Sequence, residues 1–289
     1  MYKSKRFSYT YEDWDERGKN AGTMVEDILK DPELPHVEEI VIGCWGECWD
    51  EKDGAQALID GMIANKEKFS HIKSLYVGDM DYEDCEVSWI VQGDYSKLWS
   101  AMPQLEKLVI KGSSNLELGD ISHNQLQHLE IICGGLPSAV IQSVQNAKLP
   151  SLQTLLLYLG VEDYGFDGDI TTIKNLLAQS DFPKLAYLGI VDSELQDEVT
   201  ETVLESKYIN QIETLDLSMG SLTDKGGQLL LEQVLKHPNI KALDLEYHFL
   251  SDEMMDKLKG LSGVMVNVED AQEADEYDGE IYCYPMLTE

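Results

Sequence analysis

Arginine is nearly missing from this chain: Arg6 and Arg17 are the only two in 289 residues. A guanidinium fork is the side chain best matched to phosphate, so a chain almost without it is not built around phosphate or nucleic-acid recognition. Basic residues of both kinds number 22 against 54 acidic ones, a formal charge of −32. That field repels phosphate backbones and anionic lipids, which argues against nucleic acid and membrane surfaces as partners. No run of 18 apolar residues occurs, so no segment is expected to cross a bilayer as a helix. Residues 1–7 carry basic side chains with no apolar run behind them, unlike a secretory signal. The cysteines, at 44, 48, 85, 133 and 283, are five in number, scattered and odd, and no Asn-x-Ser/Thr acceptor is present. Reduced thiols and a cytoplasmic location are the expectation.

Catalytic signatures are missing as well. There is no G-x-S-x-G and no H-E-x-x-H, and Gly134-Gly135 lacks the lysine and following helix of a phosphate loop. The expectation is a non-enzyme that needs no cofactor. A basic protein partner suits so acidic a surface, which also serves solubility.

What is present is a repeat. The pattern φ-x-x-φ-x-φ (φ apolar) occurs as VEEIVI at Val37, IKSLYV at Ile72, LEKLVI at Leu105 and LQHLEI at Leu126. It continues as LQTLLL at Leu152, LAYLGI at Leu185, IETLDL at Ile212 and IKALDL at Ile240, at intervals of 21 to 35 residues. Val264-x-Val266-x-Val268 is a degenerate ninth copy. Each copy predicts a short strand. Most intervals then show helical spacing: residues 53–68, 137–147, 170–179, 197–206 and 252–258, with Leu229, Leu230, Val234 and Leu235 after the seventh strand. The short interval from Leu105 to Leu126 leaves room for a loop or a single turn only, at Ser113–Asn124. Prolines 35, 103, 150, 183 and 238 stand just before strands, where they end a helix without removing a ladder bond. One strand–helix unit cannot bury its own apolar face, so the units must stack. Parallel strands joined by helical crossovers, with bulkier helices outside, predict an α/β solenoid of eight to nine repeats. The sheet would lie on the concave side of a horseshoe.

Residues 1–35 lack the repeat and are expected to cap it, with an edge strand at Phe7, Tyr9 and Tyr11 and a helix capped by Thr23. Residues 36–268 form the solenoid, and 269–289 an acidic segment with a short capping strand near Ile281.

Leu215-Asp-Leu217-Ser218, Leu222-Thr-Asp224-Lys-Gly226 and Leu230 resemble the repeats of ribonuclease-inhibitor-like leucine-rich-repeat proteins. Gly78-Asp79-Met80, residues 87–94, Gly134-Gly135-Leu136-Pro137 and Tyr158-Leu159-Gly160 resemble a bacterial cytoplasmic leucine-rich-repeat family of unassigned role. The resemblance covers nearly the whole chain and implies a fold, with acidic binders of basic proteins and regulators of small GTPases in the wider class. The Asn position of such repeats is held here by Ser113, Gly134, Gly160, Ser193, Gly220 and His248, which predicts looser turns.

Alternation along the strands places Tyr76, Lys107, His128, Glu130, Tyr158, Tyr187, Asp216, Asp244 and Glu246 on the concave face. Ile132, Leu156 and Val191 keep its middle apolar, and the acids gather toward its carboxyl-terminal end. Tyrosines beside exposed apolar positions are what interface anchors look like. This face is the candidate partner-binding surface. The competing reading is a metal-dependent or thiol enzyme centred on Cys44, in Cys44-Trp45-Gly46-Glu47-Cys48-Trp49, or on His128 with His123 and Cys133. C-x3-C is not the redox spacing, and core packing of this turn is the simpler expectation. Acidic loops at 79–86 and 162–169 lack the spacing of a calcium loop.

Overall fold

The computed structural model describes residues 2–287. Ten strands form one parallel sheet in chain order: β1 Ser4–Phe7, β2 Glu39–Ile42, β3 Ser74–Val77, β4 Lys107–Lys111, β5 His128–Ile132, β6 Thr154–Gly160, β7 Tyr187–Ser193, β8 Thr214–Asp216, β9 Ala242–Asp244 and β10 Met265–Asn267. Every strand pairs in parallel with the next, and the repeat motifs sit in register: Leu75, Leu108, Leu129, Leu155, Leu188, Leu215 and Leu243 form one row.

The cause is the period of two. Ile40, Ile42, Leu75, Val77, Leu108, Ile110, Leu129 and Ile131 point to one face and are fully buried there, and the pattern continues through Leu245. Burying each such side chain stabilises by about 1.5–3 kcal/mol, so the face is the main fastening of the fold. Helices close it: α1 Ala21–Lys30, α2 Gln56–Ala64, α3 Lys66–Phe69, α4 Leu98–Ala101, α5 Ser138–Gln145, α6 Ile170–Gln179, α7 Gln196–Leu204, α8 Asp224–Gln233 and α9 Asp252–Lys259. Sheet and helices share one hydrophobic core. Residues 113–124 hold no helix, as their short interval predicts.

The helices of the carboxyl-terminal half are tied to one another through their caps. Asp197 of α7 accepts from Thr223 N and Oγ1 (3.0 and 2.6 Å) and from Gly226 N (3.0 Å), while Thr223 Oγ1 accepts from Lys225 N to cap α8. One repeat on, Asp224 accepts from Ser251 N and Oγ (2.8 and 2.7 Å), and Ser251 caps α9 through Met254 N. Each helix start orients the next one's cap residue.

Four expectations change. The first strand is Ser4–Phe7, not one running through Tyr9 and Tyr11, because its ladder partners are Glu39 to Ile42; past it Tyr9 N donates to Cys44 O and Cys44 N to Ser8 Oγ. Asn20 caps α1, and Thr23 is its reciprocal partner three residues in. Near Ile281 the chain forms an exposed antiparallel hairpin, β11 Asp275–Tyr277 with β12 Glu280–Tyr282, that is separate from the large sheet and does not extend it. The turns are also better tied than the missing asparagines imply. Buried His248 accepts from Leu250 N through Nδ1 and bonds Val268 O through Nε2. The buried amides of Gln92 and Gln196 donate to Lys111 O and Ile190 O.

Candidate functional site: the open face of the sheet

The second sheet face carries no helix, and its residues are mostly half-buried. Register arranges them in rows. One row runs Val41, Tyr76, Val109, Glu130, Leu156, Gly189, Asp216, Asp244, Asn267. The row beside it runs Glu39, Ser74, Lys107, His128, Thr154, Tyr187, Thr214, Ala242. Tyr158 pairs with Val191 further along β6 and β7. Glu246 lies past the end of β9 and is exposed. Eight of the nine sequence-predicted residues therefore share the face, and the ninth stands at its rim.

Neighbouring rows are cross-linked by hydrogen bonds. Tyr187 Oη donates to Asp216 Oδ2, and Asp216 Oδ1 accepts from Ser218 N at 3.0 Å. Burial holds the Asp216 carboxyl above its ordinary range, because an ion there loses most of its water. His128 Nε2 lies 2.9 Å from Glu130 Oε2. Burial, with Glu130 nearby, pushes the Tyr76 phenol up to about 12. Tyr158 and Tyr187 are raised further, by desolvation first and then by the acids around them. The tyrosines on this face are hydrogen-bond donors and apolar plates, not bases.

Two residues that sequence reasoning passed over complete the face. Asn267 Nδ2 donates to Asp244 Oδ1 (2.9 Å) and Glu246 Oε2 (3.3 Å), joining two acids that would otherwise repel. It lies in the degenerate ninth repeat, where the apolar pattern draws the eye to its neighbours. Gly189 occupies an inward row position with no side chain; a Cβ there would stand 2.2 Å from Leu156 Cδ1. The glycine in LAYLGI was the available signal.

The acidic segment comes back to one end of this face. Met286 N donates to Met219 O (2.8 Å), Leu287 N to Asp192 Oδ1 (2.8 Å), and Tyr247 Oη to Tyr284 O (3.2 Å). Residues 284–287 thus cross the strand ends of β7, β8 and β9 as a strap. Asp192, at φ 55° and fully buried, is pushed up to about 8 by desolvation.

The residues of the competing enzyme reading are not brought together. Cys44 follows the end of β2, while His128 opens β5 three strands away, a separation of roughly 20 Å by strand geometry. His123 is buried with Nε2 on Met102 O and Nδ1 accepting from Leu126 N, and Cys133 donates to Tyr158 O. Both are fastened to backbone. The Cys44–Trp49 turn does pack into the core: Trp45 is fully buried, with Nε1 donating to Asp53 O at 2.9 Å. Cys44 Sγ donates to Gly46 O at 3.5 Å, and the neighbouring Cys48 thiol draws the Cys44 thiol down to about 7. Among the described residues, no group of three or more His, Cys, Asp or Glu is placed to hold a metal ion. In the acidic loops Asp81 accepts from Glu83 and Asp84 N, Asp167 from Ser138 N, and Asp169 caps α6. No helix is long and apolar enough to cross a membrane among the described residues.

No protein-family model matches the chain, and no curated protein does. A solved structure does: the crystal structure of a Bacteroides fragilis protein, a Northeast Structural Genomics Consortium target, is 42% identical with a TM-score of 0.89. The match covers 99% of this chain and 77% of the other.

Proposed function

We propose a binding role, from a premise of kinship: this chain belongs to the same family as that Bacteroides fragilis protein. Kinship carries the fold and brings no chemistry with it. The in-order parallel sheet with helical returns supports the finer reading of a leucine-rich-repeat horseshoe, ribonuclease-inhibitor-like, with eight to nine repeats and the open face concave. On that reading the open face binds a basic protein, and catalysis has no part in it.

The observation that carries the proposal is the composition of one uncovered face. Tyr76, Tyr158 and Tyr187 stand half-buried among Val109, Leu156 and Val191, with Glu130, Asp216, Asp244 and Glu246 beside them. Large amphipathic rings fixed by their neighbours lose little freedom on contact and are frequent anchors. The acids, within a chain of charge −32, steer a basic partner and select against acidic ones.

The test is affinity capture from a lysate of the source cell, with wild type and a Tyr158→Ala/Tyr187→Ala double variant. Basic proteins retained by wild type at low salt, released at high salt and lost with the double variant are the expected result. The same proteins on both baits, or none on either, would remove the open face as the binding surface.

A further inference from the structure

Three of the exposed aromatic side chains of this protein gather at one place, while Tyr11, Tyr277 and Tyr284 lie elsewhere. Trp49, Tyr82 and Trp89 are 42%, 71% and 58% exposed, and together with Cys85 and Glu86 they line one open cleft of about 390 Å³. It lies beyond the carboxyl ends of β2 and β3, away from the rows of the open face. Three large rings held in water around one space are costly unless something covers them.

The cleft is built, not accidental. Its walls come from two successive connections that are fastened together underneath. Val91 N donates to Cys48 O (2.8 Å) and Ala55 N to Val91 O (3.0 Å), so the backbone around Trp89 is tied to that around Trp49. Buried Cys85 meets buried Cys48 below. Trp49 is braced edge-on by Trp14, with ring centres 5.7 Å apart and planes at 82°. Trp89 ends a short turn whose Val87 and Ile90 are anchored in the core. Trp49 and the backbone that carries Trp89 are thus held in place before any ligand arrives, which limits the ordering cost of binding.

Its chemistry selects for positive charge. Indole and phenol faces carry a negative quadrupole, and Trp is the strongest partner for a cation. Glu86 stands in the wall, no lysine or arginine lines the cleft, and exposed Asp81, Glu83 and Asp84 flank it. A bare ammonium needs several hydrogen-bond acceptors to replace its water, and among the residues that line the cleft only Glu86 carries a carboxylate. A methylated ammonium spreads its charge over apolar methyl groups and needs none. We propose that the cleft formed by Trp49, Tyr82 and Trp89 receives an N-methylated ammonium head group, with Glu86 as its counter-charge.

The test titrates choline into the full chain, with 3,3-dimethylbutan-1-ol as the neutral isostere, following the ligand methyl resonance and tryptophan fluorescence. The expected result is an upfield-shifted choline methyl signal, absent for the isostere, with about tenfold weaker binding in Trp89→Ala, equivalent to about 1.4 kcal/mol. Tyr82→Ala, at the most exposed ring, is the second variant, and circular dichroism checks that both fold. A peptide bearing trimethyllysine, against the same peptide with lysine, tells a side-chain source of the head group from a free one. Equal binding of choline and isostere, choline binding unchanged in both variants, or no ring-current shift would each overturn the proposal. General attraction of cations to so acidic a protein would survive both aromatic substitutions, which separates it from a site.

Discussion

The returns between β7 and β10 and those between β2 and β4 span the same sheet with different materials. In the carboxyl-terminal half each return is a helix of eight to ten residues, and carboxylates at one helix start hold the cap of the next. In the amino-terminal half the returns are largely loop with shorter helices, and large side chains are buried along them: Trp45 and Tyr95 from loops, Phe69 and Trp99 from α3 and α4. Regular returns distribute stability over many small contacts, and the opening between α6 and α7 is lined by Lys174, Leu177, Ala178, Thr202, Glu205, Ser206 and Lys207, with no aromatic ring among them. Loop returns concentrate it in a few rings, and the rings left over, Trp49, Tyr82 and Trp89, face solvent. Irregularity in the repeat is where the aromatic cleft became available.

That contrast can be broken in order of size. Trp45→Ala removes a fully buried indole and orphans Asp53 O, and should cost about 3–5 kcal/mol, read as the urea midpoint. Asp197→Ala, which removes three bonds to the next repeat, should cost less, about 1–3 kcal/mol, because half-buried Thr223 keeps access to water and no large apolar side chain is lost. If the two losses were equal, the division between concentrated and distributed stability would be wrong. Asp192 sharpens the carboxyl-terminal side. Its acid stays protonated in the folded chain up to about pH 8, while the unfolded chain gives the proton up near 3.8. The folded state binds the extra proton, so wild-type stability falls as pH rises between those values and levels off above. Melting temperatures of wild type and Asp192→Asn should therefore diverge from pH 4 to pH 8, with the asparagine variant gaining at the alkaline end. The smallest effect belongs to the cleft: Trp89→Ala should leave the unfolding free energy, read as the urea midpoint, within about 0.5 kcal/mol of wild type, as an exposed position does.

Strand after strand was legible in the sequence, because one face of each is buried and a period of two marks it without ambiguity. The helix over 170–179 was legible to the residue, with its apolar spacing bounded by Asp169 and Ser180. The edge strand was not: alternation at Phe7, Tyr9 and Tyr11 describes side chains, whereas the strand's extent is set by backbone partners some 35 residues away. The open face followed from the same alternation, apart from Gly189 and Asn267, whose roles depend on what crosses from the next strand. The aromatic cleft was invisible for a related reason. Trp49 and Trp89 are 40 positions apart on two loops, and no local pattern records that Val91 is bonded to Cys48. The Cys44–Trp49 turn drew attention for its thiols, and its consequential residue is the ring that closes it.

Because every strand bonds only its sequence neighbours, the molecule opens like a zipper, and its weakest teeth are at the two ends. Amide exchange should follow that gradient at the amino terminus, where β1 frays first. The strap of residues 284–287 alters the other end. By spanning β7, β8 and β9 it obliges the last strands to open as a unit, since losing any one of them loosens the bonds to Asp192, Met219 and Tyr247 together. A chain that would otherwise unravel by single repeats is given one cooperative block, and exchange in β8 and β9 should be slow and matched to β7 instead of graded toward the terminus.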